Sequence, residues 1–586
     1  MENNPSEGEK TQIIKKIVHN GVEFDTIYTE CKRPDPNIEK KDRAAGMEGL
    51  GLGLTGKFNQ RVYEPNPYII CEQDVPVTMR DGIKIYVDIF RPKNETNIPA
   101  IISWSFFGKR PSEGMREWQI MGVPPGTMSD MAKFESPDPG FWCRNGYAVV
   151  NADPRGVGHS EGDVLCMGAN EGDDGHDLVE WLATQWWCNG KIGLGGNSNV
   201  AMGQWRIAAT QPPHLAAIAP WEGSCDLFEE LFYEGGIPAL AFNASITREI
   251  SGLGFGEDMI ANAEVNPTRT PYWDHKVPDF KKITVPCYAT ICWNHFHLRG
   301  TTRAFREIRS RKKWLRTHRE FEWPDSYASE NLQDLKLFFD RYLKDINNGW
   351  EMTPRVRLEV QDAYDVSYIK YRAEDTFPIK RTEYRKLWID AANQSMSETP
   401  VETESSFSYD GNEGICNFDF KCTEDTELSG YMKLRLWVAA ESYNDMDMFV
   451  NIQKVSTTGE WIPIYTVGLP HPGAWGKLRV SMRELDPDRT TDFQPVPLLK
   501  NAQKLTPGEI VPVDIDIVPH SRFWHKGQTI RVQIAGRYIR EDWFEPLSWE
   551  TDNQGNHIIY SGGKYDSYLQ VPVIPPKYTD GDIKYN

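Results

Sequence analysis

No apolar run in this 586-residue chain approaches the about 20 residues needed to span a bilayer. The N-terminal MENNPSEGEKTQIIKK is polar and lacks the apolar core of a signal peptide, so a cytoplasmic protein is expected, without membrane contact. Cysteine is sparse and unpatterned. Ten residues are scattered with no C-x-x-C pair, which fits reduced thiols rather than a disulfide framework. Positive charge is in deficit: 65 Lys and Arg face 84 Asp and Glu, for a net charge of −19. Such a field repels phosphate backbones and argues against nucleic acid as a partner. Repeats and low-complexity tracts are absent as well.

What is present is a long, aromatic-rich globular sequence. A single core stops growing near ~250–300 residues, so two or three domains are expected. Residues 1–60 read as a polar, Gly-rich surface arm. From about residue 70, short apolar runs alternate with amphipathic segments. VPVTMRDGIKIYVDIFRP (75–92) predicts a hairpin turning at Asp81-Gly82. IPAIISWSFFG (98–108), NGYAVVNADPRGVGHSEG (145–162), KIGLGGNS (191–198) and LAAIAPWEG (215–223) each begin as buried strands, with helical periodicity between them. Alternation of this kind predicts a parallel sheet covered by helices on both faces. Residues 224–280 are irregular and helical, without a strand, and read as a cap inserted over the sheet. Strand, helix, strand and helix then resume through VPCYATICW, residues 301–310, KKWLRTH and SENLQDLKLFFDRYLK. The expected core is therefore 61–223 with 281–350, and 351–586 is an all-β sandwich of jelly-roll type.

The chemistry centres on GLGGNSNVA (193–201). A strand runs into Gly196-Asn197-Ser198 and a helix follows at once, the strand–turn–helix context of a nucleophile elbow. Val200 stands where G-x-S-x-G has its last Gly. In this setting Ser198 is the expected nucleophile, and the backbone N–H of Asn199 points at a developing oxyanion. A base should follow the last strand of the sheet, where His318 closes KKWLRTH. The carboxylate at a neighbouring strand end, Glu222 in APWEG, is the expected orienting acid.

These segments together resemble the cocaine-esterase / X-Pro dipeptidyl-peptidase family of serine hydrolases. The likeness rests on DPRGVGHSEG (153–162), WWCNGKIGLGGNS (186–198), LAAIAPWEG, FFDRYLK (338–344), LRVSMRELDP (478–487) and HKGQTIRVQIAG (525–536). GNSNVAMGQW and GGKYDSYLQVPVIP are similar to a fungal-type branch. The resemblance implies an α/β-hydrolase core with a helical cap insertion and a C-terminal jelly roll. It carries the nucleophile onto Ser198 and the base onto His318. Two positions depart from the family pattern. The acid of its W-Y-D sequence falls on His295, after Trp293 and Asn294. The Tyr that would donate to the oxyanion is Phe107, which has no hydroxyl. Trp104 and Lys109 are the side chains nearby that could stand in for it.

The expected activity is serine-dependent hydrolysis of a hydrophobic small-molecule ester or amide through an acyl-enzyme on Ser198. Trp104, Phe107, Asn199, Asn294 and His295 are expected around the pocket, and the apolar cap segment 232–256 would wall it. The two departures also open a second reading, a non-hydrolytic homologue performing cyclisation or C–C bond chemistry in fungal natural-product biosynthesis. Neither reading requires a cofactor or metal. His295 and His297 share a strand face and could hold a metal with a third ligand, but lining the pocket or moving protons is the expected role. Gly51, Gly53, Gly56 and Lys57 mimic a phosphate loop without the strand or the Ser/Thr that it requires. The large β-domain offers surface for a homodimer.

Overall fold

Short, β-branched apolar runs separated by turn residues become strands that are buried on both faces, as a helix-covered sheet demands. In the computed structural model, which describes residues 11–34, 57–110, 122–247, 250–466, 468–539 and 548–576, they assemble into one twisted sheet. In chain order its strands follow an N-terminal pair, β1 (Gln12–His19) and β2 (Val22–Glu30). They are β3 (Arg61–Asn66), β4 (Ile69–Thr78), β5 (Lys84–Pro92), β6 (Ile98–Trp104), β7 (Ala148–Asp153), β8 (Cys188–Asn197) and β9 (Leu215–Trp221). After β10 (Phe255–Glu257), which lies outside the sheet, come β11 (Cys287–Cys292) and β12 (Lys313–His318). The spatial order is β3-β4-β5-β7-β6-β8-β9-β11-β12, parallel from β7 onward. Every residue of β6, β7 and β11 is buried.

Helices α1 (Ala169–Ala183), α2 (Asn199–Ala209), α3 (Leu298–Glu307), α4 (Glu322–Tyr327) and α5 (Ser329–Leu343) flank the strands. Trp205 of α2 packs with Ile102 and Leu194 in one apolar cluster, and Phe338, Phe339 and Leu343 of α5 pack with Ile101 and Ala219 in another. Gly193 is what lets α5 approach, because a Cβ there would lie 2.8 Å from Leu343. Among the described residues no helix is long and apolar enough to cross a membrane.

The hairpin at Asp81-Gly82 forms with Thr78 opposite Lys84. The N-terminal segment differs from a surface arm. Asn20-Gly21, both at positive φ, turns β1 back onto β2, and β10 of the cap adds a third strand to β2. Asn-Gly between two alternating strands is a strong hairpin signal, and it sits here inside a charged, otherwise arm-like stretch. The cap accordingly contains a strand as well as helical turns. Residues 1–10 and 35–56, including the Gly51–Gly56 motif, lie outside the described residues.

Beyond residue 354 the chain is β-rich. Its first strand, Val356–Ala363, pairs in parallel with β12, so the hydrolase sheet continues into the second domain without a break. There Thr426–Ala440 runs antiparallel to Val511–Trp524, while Thr529–Ala535 pairs on one side with Ile415–Lys421 and on the other with Asp447–Val455. Alternate residues point inward, so Leu434, Leu436 and Val438 share a core with Val450, Val532 and Ile534.

A buried ion cluster ties β4, β5 and β7 to the loop after β6. Lys109 Nζ lies 2.5 Å from Asp153 and 3.1 Å from Asp74, and Arg110 reaches Asp74 at 2.6 Å and Asp88 at 2.7 Å. Lys109 is therefore committed to structure. Removing one partner of a buried ion pair leaves the other charge uncompensated, at a cost of about 3–5 kcal/mol. Lys109→Met should lower the stability measured by chemical denaturation by that amount, and an unchanged denaturation midpoint would refute the assignment.

Candidate active site

The turn from β8 into α2 is held in a conformation that the chain does not adopt on its own. Ser198 has φ 53° and ψ −121°, in the region that side chains disfavour. Gly196 has φ 126°, and a Cβ there would lie 2.7 Å from the carbonyl oxygen of Glu135 and 2.4 Å from Val200 Cγ1. The backbone of the turn is tied down from two sides: Asn197 N–H donates to Glu135 O at 3.1 Å and Ser198 N–H to Trp221 O at 3.0 Å. Glu135 and Glu222, which flank the turn, also have positive φ, of 58° and 57°. Three non-glycine residues strained in this way around one point mark a site whose geometry the fold imposes.

Ser198 Oγ meets an imidazole at 3.2 Å, and that imidazole is His297. His297 is the residue preceding α3, on the loop that follows β11. Its other nitrogen, Nδ1, contacts the hydroxyl of Ser224. With Nδ1–H donating to Ser224, Nε2 presents its lone pair to the Ser198 hydroxyl, the arrangement a general base requires. Burial holds the His297 imidazole well below its ordinary pKa, so the ring is neutral at physiological pH.

His318, the residue expected as base, is turned away from Ser198. Its Nδ1 donates to Glu320 O at 2.9 Å, and its Nε2 lies 2.9 Å from Glu222 Oε1 and 3.4 Å from Asp325 Oδ2. The correction has a local cause. Arg316, two residues earlier on β12, grips Asp325 of α4 through two hydrogen bonds of 2.8 and 2.6 Å, drawing a carboxylate to the ring of His318. Burial lowers His318 to about 4 and raises Glu222 well above the carboxylate range, with Glu322 and Asp325 adding to that rise. Were Glu222 ionised, two acceptors would face each other. A proton on Glu222 would relieve that opposition, but the two atoms face each other at 2.9 Å without a hydrogen bond. Glu222 thus lies beside His318 as expected, and the pair is engaged with Glu320 and Asp325 rather than with the nucleophile.

His295 lies behind His297, with ring centroids 4.7 Å apart. Its Nδ1 accepts the backbone N–H of His297 at 3.1 Å, so its Nε2 carries the proton and donates to Glu322 Oε1 at 3.2 Å. Asn197 Nδ2 donates to the other oxygen of Glu322 at 2.8 Å. Glu222, His295 and Glu322 are the group whose ligand atoms could converge on a metal ion among the described residues. The donor set fits poorly: one His295 nitrogen is occupied by a backbone N–H and the other, on the far side of the ring, by Glu322. The arrangement is a chain of shared protons rather than a chelate.

The other expected pocket residues divide. Phe107 and Asn199 line a pocket of about 470 Å³ that opens onto Ser198 and His297, walled by Phe106, Met202 and the cap residues Leu231, Phe232, Phe242 and Met259. Part of the 232–256 segment thus forms this wall. Trp104 is excluded, since it belongs to the core between the sheet and α2, against Gly203. Asn294 faces elsewhere: its Oδ1 accepts from His520 at 3.3 Å, and it lines a second pocket, of about 820 Å³, toward the β-domain. Sequence reasoning missed the roles of Ser224, Glu135 and Glu322. Ser224 directly follows the WEG strand end, a signal that was available, whereas neither glutamate stands in a recognisable motif.

A parallel sheet of this order, with a strained serine between its central strand and the following helix, defines an α/β-hydrolase of the serine class. The comparisons make this more specific. The profile of the X-Pro dipeptidyl-peptidase (S15 family) matches residues 81–266, and that of the X-Pro dipeptidyl-peptidase C-terminal non-catalytic domain matches 348–570. A CocE/NonD family hydrolase from Staphylococcus aureus has a crystal structure 34% identical to this chain, with a TM-score of 0.82 over 86% of this chain and 94% of that one. Cocaine esterase from Rhodococcus sp. (strain MB1 Bresler) is 22% identical, over 86% of this chain and 98% of that protein. The structure of an α-amino acid ester hydrolase shares the fold at 15% identity, with a TM-score of 0.64 over 92% of this chain and 99% of that one. The chain belongs to the cocaine-esterase / X-Pro dipeptidyl-peptidase family of serine hydrolases.

Glu322 gives the site a pH signature in stability. Burial raises its carboxyl to about 7. A raised carboxyl contributes stability that is present at acid pH and lost as pH rises through the folded value. The wild-type Tm should therefore fall between about pH 4.5 and about pH 7, and Glu322→Gln, which does not titrate and keeps one accepting oxygen, should flatten that fall. Equal slopes for the two proteins would contradict the assignment.

Proposed function

We propose that this enzyme hydrolyses an ester or amide with an apolar acyl group through an acyl-enzyme on Ser198, with His297 as general base. The observation that carries this reading is the 3.2 Å contact between Ser198 Oγ and His297 Nε2 at the wall of an apolar pocket. As Oγ attacks the carbonyl carbon, its proton passes to Nε2 and the carbonyl oxygen becomes an oxyanion facing the Asn199 N–H. Collapse of the tetrahedral intermediate breaks the bond to the leaving group, which takes the proton from Nε2. A water molecule then repeats the sequence on the acyl-enzyme, returning Ser198 and His297 to their starting state. Ser224 accepts the Nδ1–H and fixes the ring. Because Ser224 is a neutral partner, the imidazolium is stabilised less than it would be by a carboxylate in the same place, and the Glu322 carboxylate adds an electrostatic pull that favours the charged ring.

Two facts favour an uncharged substrate. Among the described residues, the polar side chains lining the Ser198 pocket are Ser198, Asn199, Asn243, Thr247 and His297, with no carboxylate. The names of the relatives, cocaine esterase and α-amino acid ester hydrolase, also support ester cleavage.

Mass spectrometry after treatment with a fluorophosphonate should find wild type labelled once and Ser198→Ala unlabelled. His297→Ala should slow labelling by about 10⁴-fold or more. His318→Ala should keep most of the rate, and the opposite ranking of the two histidines would restore His318 as base. Ser224→Ala should cost about ten- to a hundredfold, the worth of one hydrogen bond to a charged group.

A further inference from the structure

Phe107 has no hydroxyl, which leaves the oxyanion with one evident donor, the Asn199 backbone N–H. The side chain of the same residue is placed to supply a second. Asn199 opens α2 directly after the nucleophile, is 7% exposed, and lines the pocket at Ser198 together with Phe107 and Met202. The two ends of its carboxamide meet different neighbours. Oδ1 accepts the Ser105 hydroxyl at 2.9 Å, and Nδ2 faces the thioether of Met202 at 4.0 Å. The ends of a carboxamide are alike in shape, so the neighbours decide which is which. The Ser105 oxygen accepts the Phe107 N–H at 3.1 Å, a donor whose direction the backbone fixes. Ser105 is 1% exposed, and among the described residues its own proton reaches Asn199 Oδ1 and no other acceptor. Turning the amide over would bring a second donor to the Ser105 oxygen and leave that buried hydroxyl proton unsatisfied. The N–H end is therefore held toward Met202 and the pocket that Met202 lines. A thioether is a weak acceptor. A buried amide thus stands beside the nucleophile with no strong acceptor for its N–H groups, an exception to the rule that buried polar groups are paired.

From this placement, and resting on the acyl-enzyme reading above, we propose that the Asn199 carboxamide is a catalytic group whose Nδ2–H donates to the substrate's carbonyl oxygen as the second oxyanion donor. Ser105 is its positioning residue, keeping the N–H end turned to the pocket. One residue then supplies both donors, one from its backbone and one from its side chain. As Ser198 Oγ bonds to the carbonyl carbon and its proton passes to His297, negative charge gathers on the carbonyl oxygen. The Nδ2–H exchanges its thioether contact for a charged acceptor, and a hydrogen bond to an ionised group is roughly twice as strong as one between neutral groups. The interaction is therefore stronger in the transition state than with the bound substrate, which is what accelerates a reaction. When the intermediate collapses the C=O double bond re-forms and the contact weakens again, with no proton lost from the amide. The positive end of the α2 dipole, at Asn199, acts in the same direction.

The test is fluorophosphonate labelling of full-length protein over a range of probe concentrations, which separates the limiting rate, kinact, from the half-saturating concentration, KI. Attack forms the Oγ–P bond, expels fluoride and sets the phosphoryl oxygen between the same two donors. Asn199→Leu, similar in size but without an N–H, should lower kinact by about 10²–10³-fold and leave KI within about threefold of wild type. Asn199→Asp keeps the shape of the side chain and the Ser105 hydrogen bond, replaces the donor by an acceptor, and should lose at least as much, with folding of every variant checked by circular dichroism. Ser105→Ala frees the amide to turn and should lower kinact about tenfold at unchanged KI, and Ser105→Thr, which keeps the hydroxyl, should restore it. Phe107→Tyr returns a donor to the site and should recover about tenfold or more in the Asn199→Leu background, a larger gain than it gives wild type. If Asn199→Leu and Asn199→Asp label at the wild-type kinact, or lose in KI alone, the carboxamide only lines the pocket and the proposal is overturned, while labelling of wild type at Ser198 keeps the acyl-enzyme reading. Wild type that fails to label would instead sink that reading, and the role of the Asn199 side chain with it.

Discussion

The turn at Gly196-Asn197-Ser198 is the constraint on which the site depends. Positive φ at Ser198 costs on the order of 1–3 kcal/mol and persists only where surrounding structure over-determines it. Here the restraint comes from non-local hydrogen bonds, one from the loop at Glu135 and one from the end of β9 at Trp221. Those bonds place the serine oxygen above the sheet, aim the Asn199 N–H, and bring the side chains of Glu135 and Glu222 to either flank. A helix terminus, two strand ends and one loop are thereby locked to a single point.

Around that point the fold buries more ionisable groups than a serine and a base require. Burial pushes the pKa of His295, His297 and His318 down and that of Glu135, Glu222 and Glu322 up, Glu322 to about 7, with neighbouring carboxylates adding to the rise at Glu135 and Glu222. Such groups would be prohibitively costly if charged, and the hydrogen-bond directions show how the cost is avoided. His295 donates to Glu322, Glu222 faces His318, and Asp325, whose pKa is lowered, is paired with Arg316. The result is a proton-rich site whose members differ in role by position rather than by residue type.

The elements were largely legible because local patterns encode them. Buried parallel strands announce themselves as apolar runs, the elbow as Gly-Gly-Asn-Ser between strand and helix, and the second domain as period-2 alternation. The Asn20-Gly21 hairpin was legible in principle but was obscured by the charge around it. Roles within the site were harder to read. His318 and His297 both follow strands on the same edge of the sheet, and nothing in KKWLRTH or CWNHFH says which ring reaches the serine. That depends on Arg316 drawing Asp325 to His318 and on Ser224 meeting His297, contacts made between segments far apart in the chain. Lys109 and Trp104 looked available for the oxyanion on spacing alone, yet one is held by Asp74 and Asp153 and the other lies under α2.

By itself the sequence determined the order of strands and helices, the division into a hydrolase core and a β-rich second domain, and the serine on its strained turn. Each of these follows from periodicity and turn chemistry within a few residues. Tertiary structure alone decided that His297 rather than His318 lies within hydrogen-bond distance of Ser198, and that the hydroxyl of Ser224 meets the other side of that ring. Those outcomes depend on distances of a few ångströms between side chains from different strands and loops, and on protonation states set by burial, which no local pattern of residues encodes.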